Sequence, residues 1–231
     1  MKKDNFLLTI CVIVFVGALL VIVATLSGKE TKVVEDLKGI DYDIVGNVTT
    51  LNYQTENPVV ALYIRNYGSV VIELYPDIAP NTVNNFISLV KSGFYDNNSF
   101  HRLMPGFVLQ GGDPTGTGTG DPGYKIKGEF TNNGFTNNLK HTKGIVSMAR
   151  GSYSMDSAGS QFFIMLGEAP HLDGDYAAFG KVIDGMEIVE RIEKTEKVAD
   201  ASSGQLQNNL VLQKALVDEK GKTYPEVEKM N

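Results

Sequence analysis

Ser99-Phe100-His101-Arg102-Leu103-Met104-Pro105-Gly106-Phe107-Val108-Leu109-Gln110-Gly111-Gly112-Asp113 sets one arginine among apolar residues, places a glutamine eight positions on, and ends in paired glycines. Those glycines are expected to break regular structure. The make-up is that of a pocket floor. A guanidinium donates without accepting and an amide does both, so an apolar concavity holding one of each suits a neutral, amide-bearing ligand better than a charged one.

Outward from this run the chain is punctuated by short apolar segments. Val59 to Ile64 and Val70 to Tyr75 are rich in β-formers and joined by Asn66-Tyr67-Gly68, a natural hairpin turn. Phe107–Gln110, Gly144–Ala149, Gln161–Leu166 and Ala177–Val182 follow, each bounded by Gly, Pro or Asn, and Asn209 to Val217 supplies a last strand. Two stretches have helical spacing. Pro80 opens the first, with Val83, Phe86, Ile87 and Val90 on one face and Gly93 as its stop, predicting a helix over 80–91. The second runs from Gly185 through Met186, Val189 and Ile192, with Glu187, Glu190 and Glu193 on its wet face. Many short strands and few helices predict a mainly β fold, a closed or nearly closed barrel.

The chain has 231 residues, 42% of them hydrophobic, enough for a full core in one domain. A formal charge of −6 without long basic clusters argues against nucleic acid as a partner. Phe6 to Leu26 carries no charge and as a helix is ~30 Å long, the thickness of a bilayer core. It reads as a single transmembrane helix, with Lys2 and Lys3 holding the N-terminus in the cytoplasm and the rest outside. A secreted protein with a cleaved signal peptide is the alternative. Cys11 lies within this stretch, reads as a small hydrophobe, and as the lone cysteine excludes an intrachain disulfide. The expected organisation is a cytoplasmic stub and anchor over 1–27, an acidic linker or stalk over 28–57, a folded domain over 58–219 and a polar tail over 220–231.

Several chemistries are poorly served. Asp113-Pro114-Thr115-Gly116-Thr117-Gly118-Thr119-Gly120 lacks the Gly-Lys-Ser/Thr ending of a phosphate loop and reads as a mobile surface loop. His101, His141 and His171 lie far apart in sequence without metal-ligand spacing, so no metal is expected. Ser160 lacks a nucleophile elbow, and Asp173 and Asp175 flank Gly174 as turn residues. Ser160-Gln161-Phe162-Phe163-Ile164-Met165 puts Gln161 and Phe163 on one side of a strand and Phe162 and Ile164 on the other. One aromatic then enters the core while the other lines the pocket that holds Arg102.

The blocks Phe86-Ile87-Ser88-Leu89, Phe100-His101-Arg102 through Gly111-Gly112-Asp113, Gly144-Ile145-Val146-Ser147-Met148-Ala149, Ser160-Gln161-Phe162-Phe163-Ile164, and Leu172-Asp173-Gly174 through Phe179-Gly180-Lys181-Val182 together resemble the cyclophilin family of peptidyl-prolyl cis-trans isomerases. They stand in the family's order across roughly 58–217. The resemblance implies a closed eight-stranded antiparallel β-barrel capped by two α-helices, with a proline pocket on its outer face. It implies catalysis of X-Pro rotation, with proline-containing polypeptides as partners and no cofactor.

By the same resemblance Arg102 stabilises the twisted amide, Gln110 holds the guanidinium, and His101 sits close by. Phe107, Val108, Phe163 and Leu172 wall the proline pocket, with His171 and Tyr176 at its edge. Gln161 and the backbone around Ala149 and Arg150 bind the flanking peptide. The chain departs from many eukaryotic members in having His171 where they carry Trp and Tyr176 where they commonly carry His. The Trp position helps grip cyclosporin there, so weak cyclosporin binding is expected. Val108 also replaces the commoner Met. A membrane-tethered isomerase assisting protein folding outside the cytoplasmic membrane is the leading reading; a proline-binding holdase and a structural spacer on the same fold remain open beside it.

Overall fold

The computed structural model describes residues 48–230, together with Tyr42–Val45 and a two-residue antiparallel pairing of Phe15–Val16 with Leu19–Leu20. The rest of the expected membrane anchor lies outside the described residues, and no described helix is long and apolar enough to cross a membrane.

Alternation in β1, Val59–Ile64, sends Val60, Leu62 and Ile64 to one side and Val59 and Ala61 to the other. It pairs with β2, Gly68–Leu74, and the first helix α1, Pro80–Lys91, follows. Then come β3, Asn98–Met104; β4, Val108–Asp113; β5, Ile145–Met148; β6, Phe162–Met165; and β7, Ala178–Asp184. The second helix α2, Met186–Thr195, precedes β8, Gln205–Asp218, which a short strand Val198–Asp200 borders.

Around the sheet the order is β8-β1-β2-β7-β5-β6-β4-β3, every pairing antiparallel. Closure comes from β8. Its 14 residues bend through irregular register, pairing β1 with one half and β3 with the other. The result is a closed eight-stranded barrel with two helices.

The interior is aromatic. Phe86 of α1 meets Tyr95, Phe162 and Phe179 at ring-centroid distances of 5.2, 5.2 and 5.1 Å, tilted or edge-on geometries that aromatic pairs favour. The Ala79 that opens α1 has no capping oxygen, and the buried Glu129 substitutes for one. Its carboxylate accepts from Asn81 N at 3.0 Å, Thr82 N at 2.7 Å and Thr82 Oγ1 at 2.7 Å, satisfying free amides at the positive end of the helix.

The expectation that Gly111 and Gly112 interrupt regular structure is corrected: both lie within β4. A Cβ on Gly111 would stand 2.8 Å from the Phe100 ring, and one on Gly112, at φ +82°, would stand 2.4 Å from Ser160 O. Glycine is required there because a barrel wall passes close to large neighbours.

The packing continues past both ends of 58–219. Tyr42–Val45 and Val48–Leu51 form a hairpin within the stretch read as a stalk, and Leu51 and Tyr53 cover the outer side of β1 and β2. At the other end Tyr224 and Val227 pack on the main core, and Lys125 exchanges backbone hydrogen bonds with Met230.

Candidate active site

Arg102 and Gln110 are direct cross-strand neighbours of β3 and β4, so their separation in sequence is that of a hairpin. Gln110 in turn stands opposite Phe163 of β6, and Val108 opposite Met165. These side chains share the outer face of the barrel, while Phe100 and Phe162 flank Gly111 inside it.

The outer face carries its own apolar cluster. Val108, Phe163 and Leu172 are buried in it, and Phe107, Ala149 and Tyr176 are half-buried at its opening. Phe163 meets Tyr176 edge-on at 5.8 Å, and Phe107 stacks with the exposed His171 at 5.7 Å. Beneath Phe163 the buried His141 stacks at 6.1 Å, its Nδ1 3.0 Å from Asp173 Oδ1 and its Nε2 3.0 Å from Ser147 Oγ. With Asp173 ionised, Nδ1 donates and Nε2 accepts from the hydroxyl.

Arg102 stands beside this cluster, its Cζ 6.0 Å from the Phe107 ring centre. Nε donates to Ser203 O at 3.0 Å and Nη1 to Gln110 Oε1 at 3.0 Å. Among the described residues it forms no ion pair, and Nη2 has no partner. Burial lowers its pKa, with Tyr176 opposing, yet a guanidinium stays charged at neutral pH.

Beyond Gln110 the site turns polar. Gln110 Nε2 donates to Gln161 Oε1 at 3.0 Å, and Gln161 Nε2 donates to Gly118 O at 3.0 Å and Gly120 O at 2.9 Å. A cavity of about 250 Å³ opens here, lined by Gln110, Gln161, Ala149, Arg150 and the 118–121 loop, with the exposed Tyr153 among its lining residues. The Arg150 side chain is already committed: its Cζ lies 4.9 Å from the Tyr176 ring centre and 5.4 Å from that of Phe130, and Nε donates to Asp175 O at 2.8 Å. What Arg150 can offer a bound peptide is its backbone.

His101 lines a different cavity of about 290 Å³, with Thr115, Gly116 and residues 205–209. Its Nδ1 is buried without a hydrogen-bond partner. Burial lowers its pKa, Asp113 opposes that and Arg102 adds to it, so it is neutral at pH 7. Phe107, Val108, Phe163, Leu172, Tyr176 and His171 converge on one apolar wall, and Arg102, Gln110 and Gln161 form a connected polar edge to it; His101 lies apart from both.

Three features of the site carried little or no signal in the sequence. Ser203 acts through its carbonyl, brought to Arg102 by pairing of β3 with β8. Ser147 and His141 meet only once β5 is folded beside the loop before it. The 113–120 loop, read as mobile, is stapled down: Asp113 accepts from Thr115, Gly118 and Gly120, and the hydroxyls of Thr115, Thr117 and Thr119 are linked in series. Alternating Thr and Gly beside an Asp was its only trace.

A family model described as cyclophilin type peptidyl-prolyl cis-trans isomerase/CLD matches residues 59–216. The chain is similar to the peptidyl-prolyl cis-trans isomerase of Helicobacter pylori, 44% identical over 131 residues, 56% of this chain and 77% of that one. It is 50% identical over 125 residues to peptidyl-prolyl cis-trans isomerase B of Bacillus subtilis, covering 54% of this chain and 83% of the relative. Among solved structures, a cyclophilin-type isomerase of Cryptosporidium parvum in the presence of the dipeptide Ala-Pro superimposes with a TM-score of 0.61 at 35% identity, covering 69% of this chain and 98% of the other.

Proposed function

The chain belongs to the cyclophilin-type peptidyl-prolyl cis-trans isomerase family, and from that premise we propose that its Arg102 accelerates X-Pro rotation by stabilising the twisted amide. The observation that carries this reading is a half-buried guanidinium beside an apolar wall, tied at Nε and Nη1 to neutral acceptors, with no carboxylate partner among the described residues.

Rotation about a peptide bond faces a barrier of ~18–20 kcal/mol from amide resonance. The reaction makes and breaks no covalent bond, so the enzyme has only to bind the twisted amide better than either planar form. Twisting pyramidalises the prolyl nitrogen and localises its lone pair. A guanidinium unpaired with acid keeps its full charge for that lone pair, and Ser203 O and Gln110 Oε1 hold its plane before the substrate arrives. Differential stabilisation of ~3 kcal/mol gives roughly a hundredfold in rate.

Phe107, Val108, Phe163 and Leu172 form a wall suited to a proline ring, the apolar half of the proposed site. The dipeptide named with the Cryptosporidium structure ends in proline, which supports the same substrate class here. Gln161 and the backbone at Ala149 and Arg150 line the adjacent cavity and suit the peptide preceding the proline. We propose further that the domain acts on folding polypeptides outside the cytoplasmic membrane, held there by residues 6–26, on the strength of that uncharged stretch and the two lysines before it.

Exchange spectroscopy on an X-Pro peptide tests the activity. Catalysed cis/trans exchange at substoichiometric protein is expected; exchange at the uncatalysed rate, with the peptide bound, would make the protein a holdase instead. Protease accessibility of the domain in intact and opened cells tests the location.

A further inference from the structure

Asp113 is the last residue of β4, fully buried, and forms no ion pair among the described residues. Its Oδ1 accepts from Thr115 N at 2.7 Å and Thr115 Oγ1 at 2.8 Å; its Oδ2 accepts from Gly118 N at 2.5 Å and Gly120 N at 3.1 Å. Burial pushes the carboxyl up, but these donors outweigh it and hold the group ionised below the usual carboxylate range. The same two glycines turn their carbonyls to Gln161 Nε2.

The direction of every hydrogen bond from here to the guanidinium is fixed by the two ends of the chain of contacts, the Gly118 and Gly120 carbonyls, which only accept, and Arg102, which only donates. A carboxylate only accepts, so both glycine amides point to it. Gln161 must present its NH2 to the carbonyls, which leaves Oε1 to accept from Gln110 Nε2. Gln110 then has its Oε1 to offer Arg102 Nη1. Reversing either amide would set N–H against N–H.

We infer that Asp113 is a positioning residue for Arg102, holding the Gly118 and Gly120 carbonyls in place for Gln161 and, through Gln161, the Gln110 oxygen that the guanidinium meets. The inference rests on the reading of Arg102 given above. It gives the alternating Thr-Gly loop a role that a surface turn lacks.

Asp113→Asn is the test, because it keeps the shape but leaves one oxygen for two sets of donors, setting an NH2 against the Thr115 amide or against those of Gly118 and Gly120. Cis/trans exchange of a proline-containing tetrapeptide is expected to fall ~10-fold while its Kd, titrated in the same samples, stays within about threefold. In a Gln161→Ala background, where the relay is already cut, Asp113→Asn is expected to change exchange by less than about twofold. Gly120→Ala provides a second route, since its Cβ would stand 2.0 Å from Asp113 Oδ1, and the same loss of exchange is expected. Unchanged exchange in both single variants, a loss confined to affinity, or losses that multiply in the double variant overturns the inference. Arg102→Ala in the same assay separates the two claims: if it keeps full exchange, the reading of the site fails as well; if it loses exchange while Asp113→Asn does not, only the relay fails.

Discussion

Glu193 of α2 accepts a hydrogen bond from Gly106 N at 2.6 Å, joining the second helix to the turn that presents Phe107. Phe107 closes that turn with its own N–H on Met104 O and accepts from Leu166 N at 2.8 Å. A helix that contributes no side chain to the apolar wall thereby fixes one edge of it. Glu193→Ala is expected to weaken peptide binding roughly fivefold, the worth of about 1 kcal/mol of lost hydrogen bonding, with a smaller effect on turnover. Titration of the peptide into the variant checks it; an unchanged Kd means the turn holds itself.

The pocket floor also makes stability depend on pH. Burial lowers the pKa of His141, with Asp173 opposing, so the folded protein prefers the neutral ring. The unfolded chain takes up its proton at about 6.5, before the folded one does, so this stabilisation is complete above that pH and is lost as pH falls toward the folded value. His101 shifts in the same direction and adds slope of the same sign. Asp173 is depressed, its burial outweighed by His141 and Lys140, and its contribution is present above about pH 3.9 and lost as pH falls through its lower folded value. Urea unfolding between pH 7.5 and 5 is expected to show stability falling with pH, and His141→Gln to flatten that slope without abolishing it. An equal slope in the variant contradicts the assignment.

Much of this was legible because local and global signals agreed. The spacing of Pro80, Val83, Phe86, Ile87 and Val90 predicts a helix over 80–91, and the helix is Pro80–Lys91. Alternation put Phe162 and Phe163 on opposite sides of a strand, one for the core and one for the pocket, and the two separate clusters take Phe162 inside and Phe163 outside. The glycines of β4 misled because a local rule about flexibility ignores Phe100 and Ser160, which approach from distant segments. Glu129 capping α1 and Ser203 holding Arg102 have the same origin. Each is a polar atom whose partner comes from a distant segment, and no periodicity in the chain records it; Asp113 instead binds within its own loop, where alternating Thr and Gly is the local trace.

The N-terminal approach to the barrel is locked by a buried charge. Asp218 accepts from Leu51 N at 2.8 Å and lies 2.9 Å from Lys220 Nζ, which also donates to Leu51 O at 2.7 Å and Tyr53 O at 3.1 Å. Asp218→Ala leaves the Lys220 ammonium without its carboxylate and is expected to cost about 3 kcal/mol. Amide exchange at Leu51 should lose its protection in the variant. Retained protection at Leu51 would show that the apolar contacts of Leu51 and Tyr53 hold the segment unaided.

We propose that the residue at the pocket edge sets cyclosporin sensitivity. His171 is exposed and stacked on Phe107, and presents a smaller ring than the tryptophan of many eukaryotic relatives. The wild-type protein is expected to escape submicromolar inhibition, and His171→Trp to bind the drug more tightly while exchanging peptide at a comparable rate. Submicromolar inhibition of the wild type would remove His171 as the determinant.

The central claim is that the Arg102 charge acts on the twisted amide rather than on affinity. Its most direct measurement is the cis/trans exchange rate of a bound X-Pro peptide, by NMR line shape, in the wild type, Arg102→Lys and Arg102→Ala, with the Kd of each from the same titration. Arg102→Ala is predicted to lose roughly a hundredfold in exchange while binding changes only a few-fold, with Arg102→Lys between the two because it keeps the charge but loses the planar fork. Exchange that survives Arg102→Ala undiminished, or falls only in proportion to lost binding, would contradict the account.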